Sequence, residues 1–175
     1  MHAPLIETSR TYLRPFTAAD AAGLHAVLGD AEVMRYSLTG ALTLAQTEAR
    51  IADYCRDYAR DGFGFWALRL RASDALIGVC GVKPLPVNGE REIELGYRLA
   101  RDYWRQGLAT ESARAVCAYA FAELKLPYLI AAIEARNTAS LRVAGKLGFE
   151  FWKPWRYEGI PVDLYRRDRA STDSA

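Results

Sequence analysis

Histidine is nearly absent from this chain: only His2 and His25 occur in 175 residues. Zinc clusters, Cys/His pairs and Ser/His/Asp triads therefore have almost nothing to be built from, and a catalytic base must be a carboxylate, a tyrosine, a lysine or water. Cysteine is scarce as well. Cys55, Cys80 and Cys117 lie far apart, each in an apolar-periodic segment, which predicts buried free thiols rather than disulfides or a metal site. Charge of one sign is not in excess: 23 Lys and Arg face 21 Asp and Glu, a formal net charge of +2. No basic run stands apart from acidic neighbours, so an extended nucleic-acid footprint is not indicated. Apolar runs of membrane-spanning length are missing, and "MHAPLIETSRTYL" lacks the apolar stretch of a signal peptide. The expectation is a cytoplasmic protein with no membrane partner and no metal.

What remains is an ordinary globular composition, 51% hydrophobic and 25% charged. A chain of this length suits one domain that buries roughly 70% of its unfolded surface. "RTYLRPF" alternates as a strand; "TAADAAGLHAVLGD" follows as a helix with Thr17 as N-cap and Asp20 in its first turn. "TLAQTEARIADYCRDYARDG" is a second amphipathic helix, with apolar residues at Leu44, Ile51, Tyr54, Cys55 and Tyr58 and Gly62 as its stop. "FGFWALRLR", "ALIGVCGVKPLP" and "REIELGYRLA" read as an antiparallel meander, the last two joined at Asn88-Gly89. A long helix runs to Leu126-Pro127, "YLIAAIEA" is a strand, "NTASLRVAGKLG" a short helix, and "FEFWKPWRY" with "IPVDLYRRD" a final strand pair. The result is a mixed α/β (α+β) sheet in one layered domain, residues 10–168, with about four helices and flexible termini at 1–9 and 169–175.

The stretch "DYWRQGLATESA" turns strand into helix, with Gly107 and Ala109 at the junction. A helix N-terminus leaves N–H groups unpaired and carries partial positive charge, so an anion there gains hydrogen bonds and about 1–2 kcal/mol from the dipole. The ATP-type G-x-x-x-x-G-K-[ST] loop and the dinucleotide G-x-G-x-x-G are both missing. Taken alone, Gly-x-Ala fits a helix start that merely packs as well as one that holds a pyrophosphate.

The element order, together with "ELGYRLARDYWRQGLATESARAVCAYAF" and "IEARNTASLRVAGKLGFE", resembles the GNAT superfamily of N-acetyltransferases, most closely its RimJ/RimL branch of ribosomal-protein N-terminal acetyltransferases. "LRPFTAAD" and "LIGVCGVKPLP" upstream carry the same resemblance. It implies acetyl-CoA as cosubstrate, with a splayed strand pair forming its cleft. The backbone amides of Arg105, Gln106, Gly107, Leu108, Ala109 and Thr110 would cradle the pyrophosphate, the strand near Leu99 would pair with the pantetheine arm, Asn137 would contact that arm and Lys146 would lie near the phosphate end. The superfamily's Q/R three positions before Gly107 is Trp104 here, as is usual in the RimJ/RimL branch.

Acetyl transfer to an amine needs a neutral nucleophile, stabilisation of a developing oxyanion and a proton for the departing thiolate. Family position makes Glu94 the base, with Glu92, two places earlier on the same strand face, as the alternative; for either, pairing with Arg91 or Arg98 as an exposed strand carboxylate is the competing role. The superfamily's thiolate-protonating tyrosine, seven residues after the motif asparagine, is Ala144 here, which leaves Ser140 as the matching candidate, or as a helix-start hydroxyl bonded to nearby backbone. Tyr36 and Trp66 are candidates for the acceptor pocket, and Trp152 and Trp155 for packing. The expected acceptor is a protein or peptide N-terminus; a small-molecule amine and a silent acyl-CoA sensor stay open, as does a homodimer.

Overall fold

The computed structural model describes residues 5–169; the terminal stretches 1–4 and 170–175, expected to be flexible, lie outside the described residues. One sheet of eight strands organises them: β1 (Ile6–Glu7), β2 (Thr11–Arg14), β3 (Phe65–Leu70), β4 (Leu76–Val87), β5 (Glu90–Leu99), β6 (Tyr128–Ile133), β7 (Glu150–Tyr157) and β8 (Ile160–Asp168), in the spatial order β1-β2-β3-β4-β5-β6-β8-β7. Four α-helices accompany it among the described residues: α1 (Ala21–Leu28), α2 (Leu44–Asp61), α3 (Leu108–Ala122) and α4 (Thr138–Lys146). Every pairing is antiparallel except β5 with β6. The expected flexible start at 1–9 is corrected at Ile6 and Glu7, which pair with Leu13 and Tyr12. Two residues are too short a run to show alternation, so the strand had no pattern to betray it.

Alternation along β3 divides the core. Trp66 and Leu68 point to the face covered by α3, where Val116, Cys117 and Ala120 are fully buried. Phe65 and Ala67 point the other way, into a second core with Leu24, Val27, Ile51 and Tyr54 from α1 and α2. Gly96 on β5 is demanded by this packing, since a Cβ there would lie 2.7 Å from the Phe65 ring. Local chemistry sets the helix ends. Thr43 and Gln46 cap the start of α2 reciprocally, at 3.2 and 2.8 Å, and Gly62 ends it with φ of 76°. The buried Asp20 accepts from both Arg14 amino groups at 2.8 and 2.7 Å and from Arg69 at 3.1 Å, tying β2 and β3 to the start of α1. Cys80 and Cys117 are buried free thiols as expected; Cys55 is exposed, because the inner face of α2 is set by Thr47, Ile51 and Tyr54.

Candidate active site

The parallel pair β5–β6 is in register at one position, Glu94 opposite Ile130, and beyond it the strands diverge. From Leu95 onward β5 keeps its partners on β4, up to Leu99 opposite Gly78, while β6 turns to β8. A sheet that opens in this way presents unpaired backbone N–H and C=O groups to whatever enters. The opening leads into a continuous cleft of ≈ 1610 Å³, large enough for a long cosubstrate and an acceptor together.

One wall is β5, the 101–110 loop, α3 and α4. Gly107 takes φ of 79° immediately before α3, and Arg105 also lies in the left-handed region at 60°. The first intrahelical bond of α3 runs from Glu111 N–H to the Gly107 carbonyl at 3.0 Å, so the N–H groups of Leu108, Ala109 and Thr110 remain at the helix mouth. Trp104 donates its indole N–H to the Leu99 carbonyl at 2.7 Å, which fastens the loop to the end of β5. Gln106 contributes its carbonyl, which accepts from Arg10 at 2.9 Å, and its amide, which donates to the Asp102 carbonyl at 2.7 Å.

Beneath the loop lies an ion-pair clamp the sequence did not reveal. Glu111 accepts from the Thr8 hydroxyl (2.6 Å), the Ser9 hydroxyl (3.0 Å), the Arg10 N–H (2.9 Å) and Arg10 Nε (2.7 Å). Burial works against its charge, but these hydrogen bonds outweigh it and hold the carboxyl at about 2. The carboxylate is thereby engaged by the β1–β2 corner instead of competing for the α3 N-terminus.

On α4, Asn137 is the N-cap: its Oδ1 accepts from the Ser140 N–H at 3.1 Å, leaving its NH₂ as the group able to face a cofactor arm. Lys146 closes α4, and its carbonyl accepts from Arg114 at 3.2 Å, bracing α4 against α3. Ser140 lies beside the hydroxyl of Tyr97, which arrives from β5, and both line the cleft. Burial pushes the Tyr97 phenol up to about 12 against the pull of the neighbouring Ser140, so it stays protonated at neutral pH. A tyrosine hydroxyl thus reaches α4 from another element, which no helix spacing could have indicated.

The opposite wall is the 32–39 segment, α2 and the β7–β8 hairpin. Glu94 sits at the point of divergence with its side chain 15% exposed. Its partner is Lys83, directly across on β4 at 3.5 Å, rather than Arg91 or Arg98. Tyr36 lines the cleft and donates its hydroxyl to the Arg136 carbonyl at 3.0 Å, reaching from this wall to the β6–α4 loop.

Two residues expected here are elsewhere. Trp66 is completely buried, with Tyr58 and Tyr119 packed edge-on at 5.7 and 5.6 Å, because its place in β3 turns it into the α3 core. Glu92 precedes the divergence, is buried, and lies beside the Tyr128 hydroxyl and Arg166, whose guanidinium is 3.7 Å from the Tyr128 ring centroid. It shares the strand with Glu94 but not the cleft.

The model of the acetyltransferase (GNAT) domain matches residues 10–150 of this chain. The chain belongs to the GNAT acetyltransferase family. The N-acetyltransferase YoaA of Bacillus subtilis, itself uncharacterized, is 32% identical over 165 residues, covering 91% of this chain and 93% of its own. A GNAT acetyltransferase structure from Bacillus anthracis aligns with a TM-score of 0.79 at 25% identity, over 93% of this chain and 96% of that one. The ribosomal L7/L12 α-N-protein acetyltransferase RimL, solved with coenzyme A, shares the fold with a TM-score of 0.79 at 19% identity, over 94% and 98%. This chain is accordingly an acetyl-CoA-dependent acetyltransferase, and an open strand edge leading to a helix mouth with free amides fits that cosubstrate. No group of His, Cys, Asp and Glu able to hold a metal occurs among the described residues, and none of their helices is long and apolar enough to cross a membrane.

Proposed function

We propose that this GNAT enzyme acetylates the α-amine of a protein or peptide N-terminus, in the manner of the RimJ/RimL branch, by direct attack in a ternary complex. The observation that carries this reading is the position of Glu94. A carboxylate paired with Lys83 at 3.5 Å stands where the strands part, between the cofactor wall and the α2 wall. It takes the proton of the incoming amine, directly or through one water. An α-amine has an ordinary pKa of about 8 and lysine about 10.4, so presenting neutral lysine at pH 7 costs about 3 kcal/mol more. A single carboxylate suits the easier amine.

Acetyl-CoA supplies an acetyl group activated as a thioester. The amides of Arg105 to Thr110 hold its pyrophosphate, the β5 edge from Leu95 to Leu99 aligns its arm, Asn137 NH₂ orients that arm, and Lys146 meets the phosphate end. Ser140 Oγ, backed by the protonated Tyr97 Oη, delivers a proton to the departing sulfur. The test is CoA release measured against N-terminal peptides, lysine peptides and polyamines. Turnover of N-terminal peptides supports the reading. Turnover confined to polyamines or other small amines replaces the acceptor, and tight acetyl-CoA binding with no turnover makes the protein a sensor.

A further inference from the structure

The cations on the α2 wall are, with few exceptions, already neutralised. Arg35 pairs with Glu32 at 2.6 Å, Arg60 with Asp57 at 2.8 Å and Lys83 with Glu94 at 3.5 Å, and Arg56 pairs with Asp53. Arg50 and Arg98 also line the cleft, are half-buried, and form no ion pair among the described residues. They come from different elements to one place. Arg98 lies on β5 on the same face as Glu94 and Gly96, the face that looks at Phe65 and, through it, at Tyr54, whose ring is 5.4 Å away. Arg50 precedes Tyr54 by four residues on α2, one turn away on the same side of the helix.

The Tyr54 hydroxyl reports the convergence. Burial raises its pKa, and the nearby charges of Arg50, Arg98 and Lys83 oppose that rise. Burying guanidinium groups without a carboxylate is costly, and a bound anion removes that cost. Glu158, on the β7–β8 turn, lines the cleft without an ion pair among the described residues, so an anionic group is favoured at α2 and β5 and disfavoured at the hairpin.

We infer that Arg50 and Arg98 form an anion subsite for the acceptor, so that the preferred substrate is an amine that itself carries a carboxylate. This rests on the acetyltransferase reading above and adds the substrate class. Four residues of strand separate Glu94 from Arg98, about 13 Å of backbone rise. An extended peptide covers that distance in about four residues, and the length of an arginine side chain shortens the reach. With its α-amine at Glu94, a peptide therefore places an Asp or Glu side chain from within its first four residues on the two guanidiniums. Polyamines meet two uncompensated cations in the same place.

The experiment compares kcat/KM for acetylation of N-terminal peptides that differ only by Glu or Gln at positions two to four, with free glutamate, glycinamide and spermidine alongside. The acidic peptides are expected to lead, and the acidic-to-neutral ratio falls about tenfold or more in Arg98→Gln and in Arg50→Gln, mostly through KM. Thermal unfolding followed by circular dichroism checks that the variants are folded. Should they fail to fold, salt on the wild-type enzyme decides: added KCl lowers kcat/KM for acidic peptides more than for their neutral counterparts. Preference for free glutamate over peptides keeps the anion subsite and overturns the N-terminal acceptor. Equal rates on acidic and neutral peptides, with no change of ratio in the variants, overturn the subsite while leaving the acetyltransferase reading intact. No turnover of any amine overturns both.

Discussion

The two walls of the cleft are built by different means. The cofactor wall is made of backbone held by hydrogen bonds: Trp104 on Leu99, Arg10 on Gln106, Asn137 on Ser140 and Arg114 on Lys146. The α2 wall is made of side chains, most of them long and charged, in exposed pairs such as Arg35–Glu32. Such pairs contribute little stability, about 0–1 kcal/mol each, and can exchange partners when a ligand arrives. Under the proposed function, fixed amides meet a cosubstrate common to the whole family, and replaceable charges meet an acceptor that differs from enzyme to enzyme. Glu94 stands between the two, and substitutions there and on either side separate their roles.

The largest effect is expected at the junction of the walls. Glu94→Gln lowers kcat by about 10²- to 10⁴-fold, most severely at low pH where the neutral amine is rare, with acetyl-CoA affinity nearly unchanged. Pre-steady-state kinetics and calorimetry check the two halves of that statement. Loss of acetyl-CoA binding would remove Glu94 from its role as base. Next come Ser140→Ala and Tyr97→Phe, each lowering kcat about 10- to 100-fold; the double variant is expected to be little worse than either single one, because the two hydroxyls act in one relay. Additive losses would show that they work separately.

On the cofactor wall alone, Gly107→Val forces a β-branched residue into the left-handed region at a cost of about 1–2 kcal/mol. The variant should bind acetyl-CoA about tenfold more weakly and keep its preference among acceptors, as measured by calorimetry and by competition between peptides. The smallest effect is on stability. The Glu111 carboxyl is held at about 2 against an ordinary 4.5, so its charge stabilises the fold above pH 4.5, and that contribution is lost as the pH falls toward 2. Denaturant unfolding of Glu111→Gln should therefore show a flatter decline between those two pH values than the wild type.

Legibility from sequence divides along the same line. The β3–β5 meander, the β4–β5 hairpin and the helix start after "WRQGLA" follow from local spacing and turn chemistry, and a loop that works through its backbone leaves a compact signature. Glu94 was nameable because a family position marks it, but its partner Lys83 depends on cross-strand register. The Glu111 clamp joins residues about a hundred positions apart, and Tyr97 and Ser140 come to the cleft from a strand and a helix. Trp66 and Glu92 failed for a related reason: alternation tells which residues share a face but not whether that face opens to the cleft, covers a helix or precedes the point of divergence. The exposure of Cys55 shows the same limit on α2, where an apolar residue one position off the inner stripe faces water.

Hydrogen–deuterium exchange with CoA alone, and then with CoA and an acidic N-terminal peptide, tests the separation of the walls most directly. CoA alone is expected to protect the amides of Leu108 to Thr110, the β5 edge beyond Glu94 and the start of α4, while the Arg50–Tyr54 turn and the 32–39 segment change only when the peptide is added. Protection of the 32–39 segment and the Arg50–Tyr54 turn by CoA alone, with the 105–110 loop unchanged, would contradict that separation.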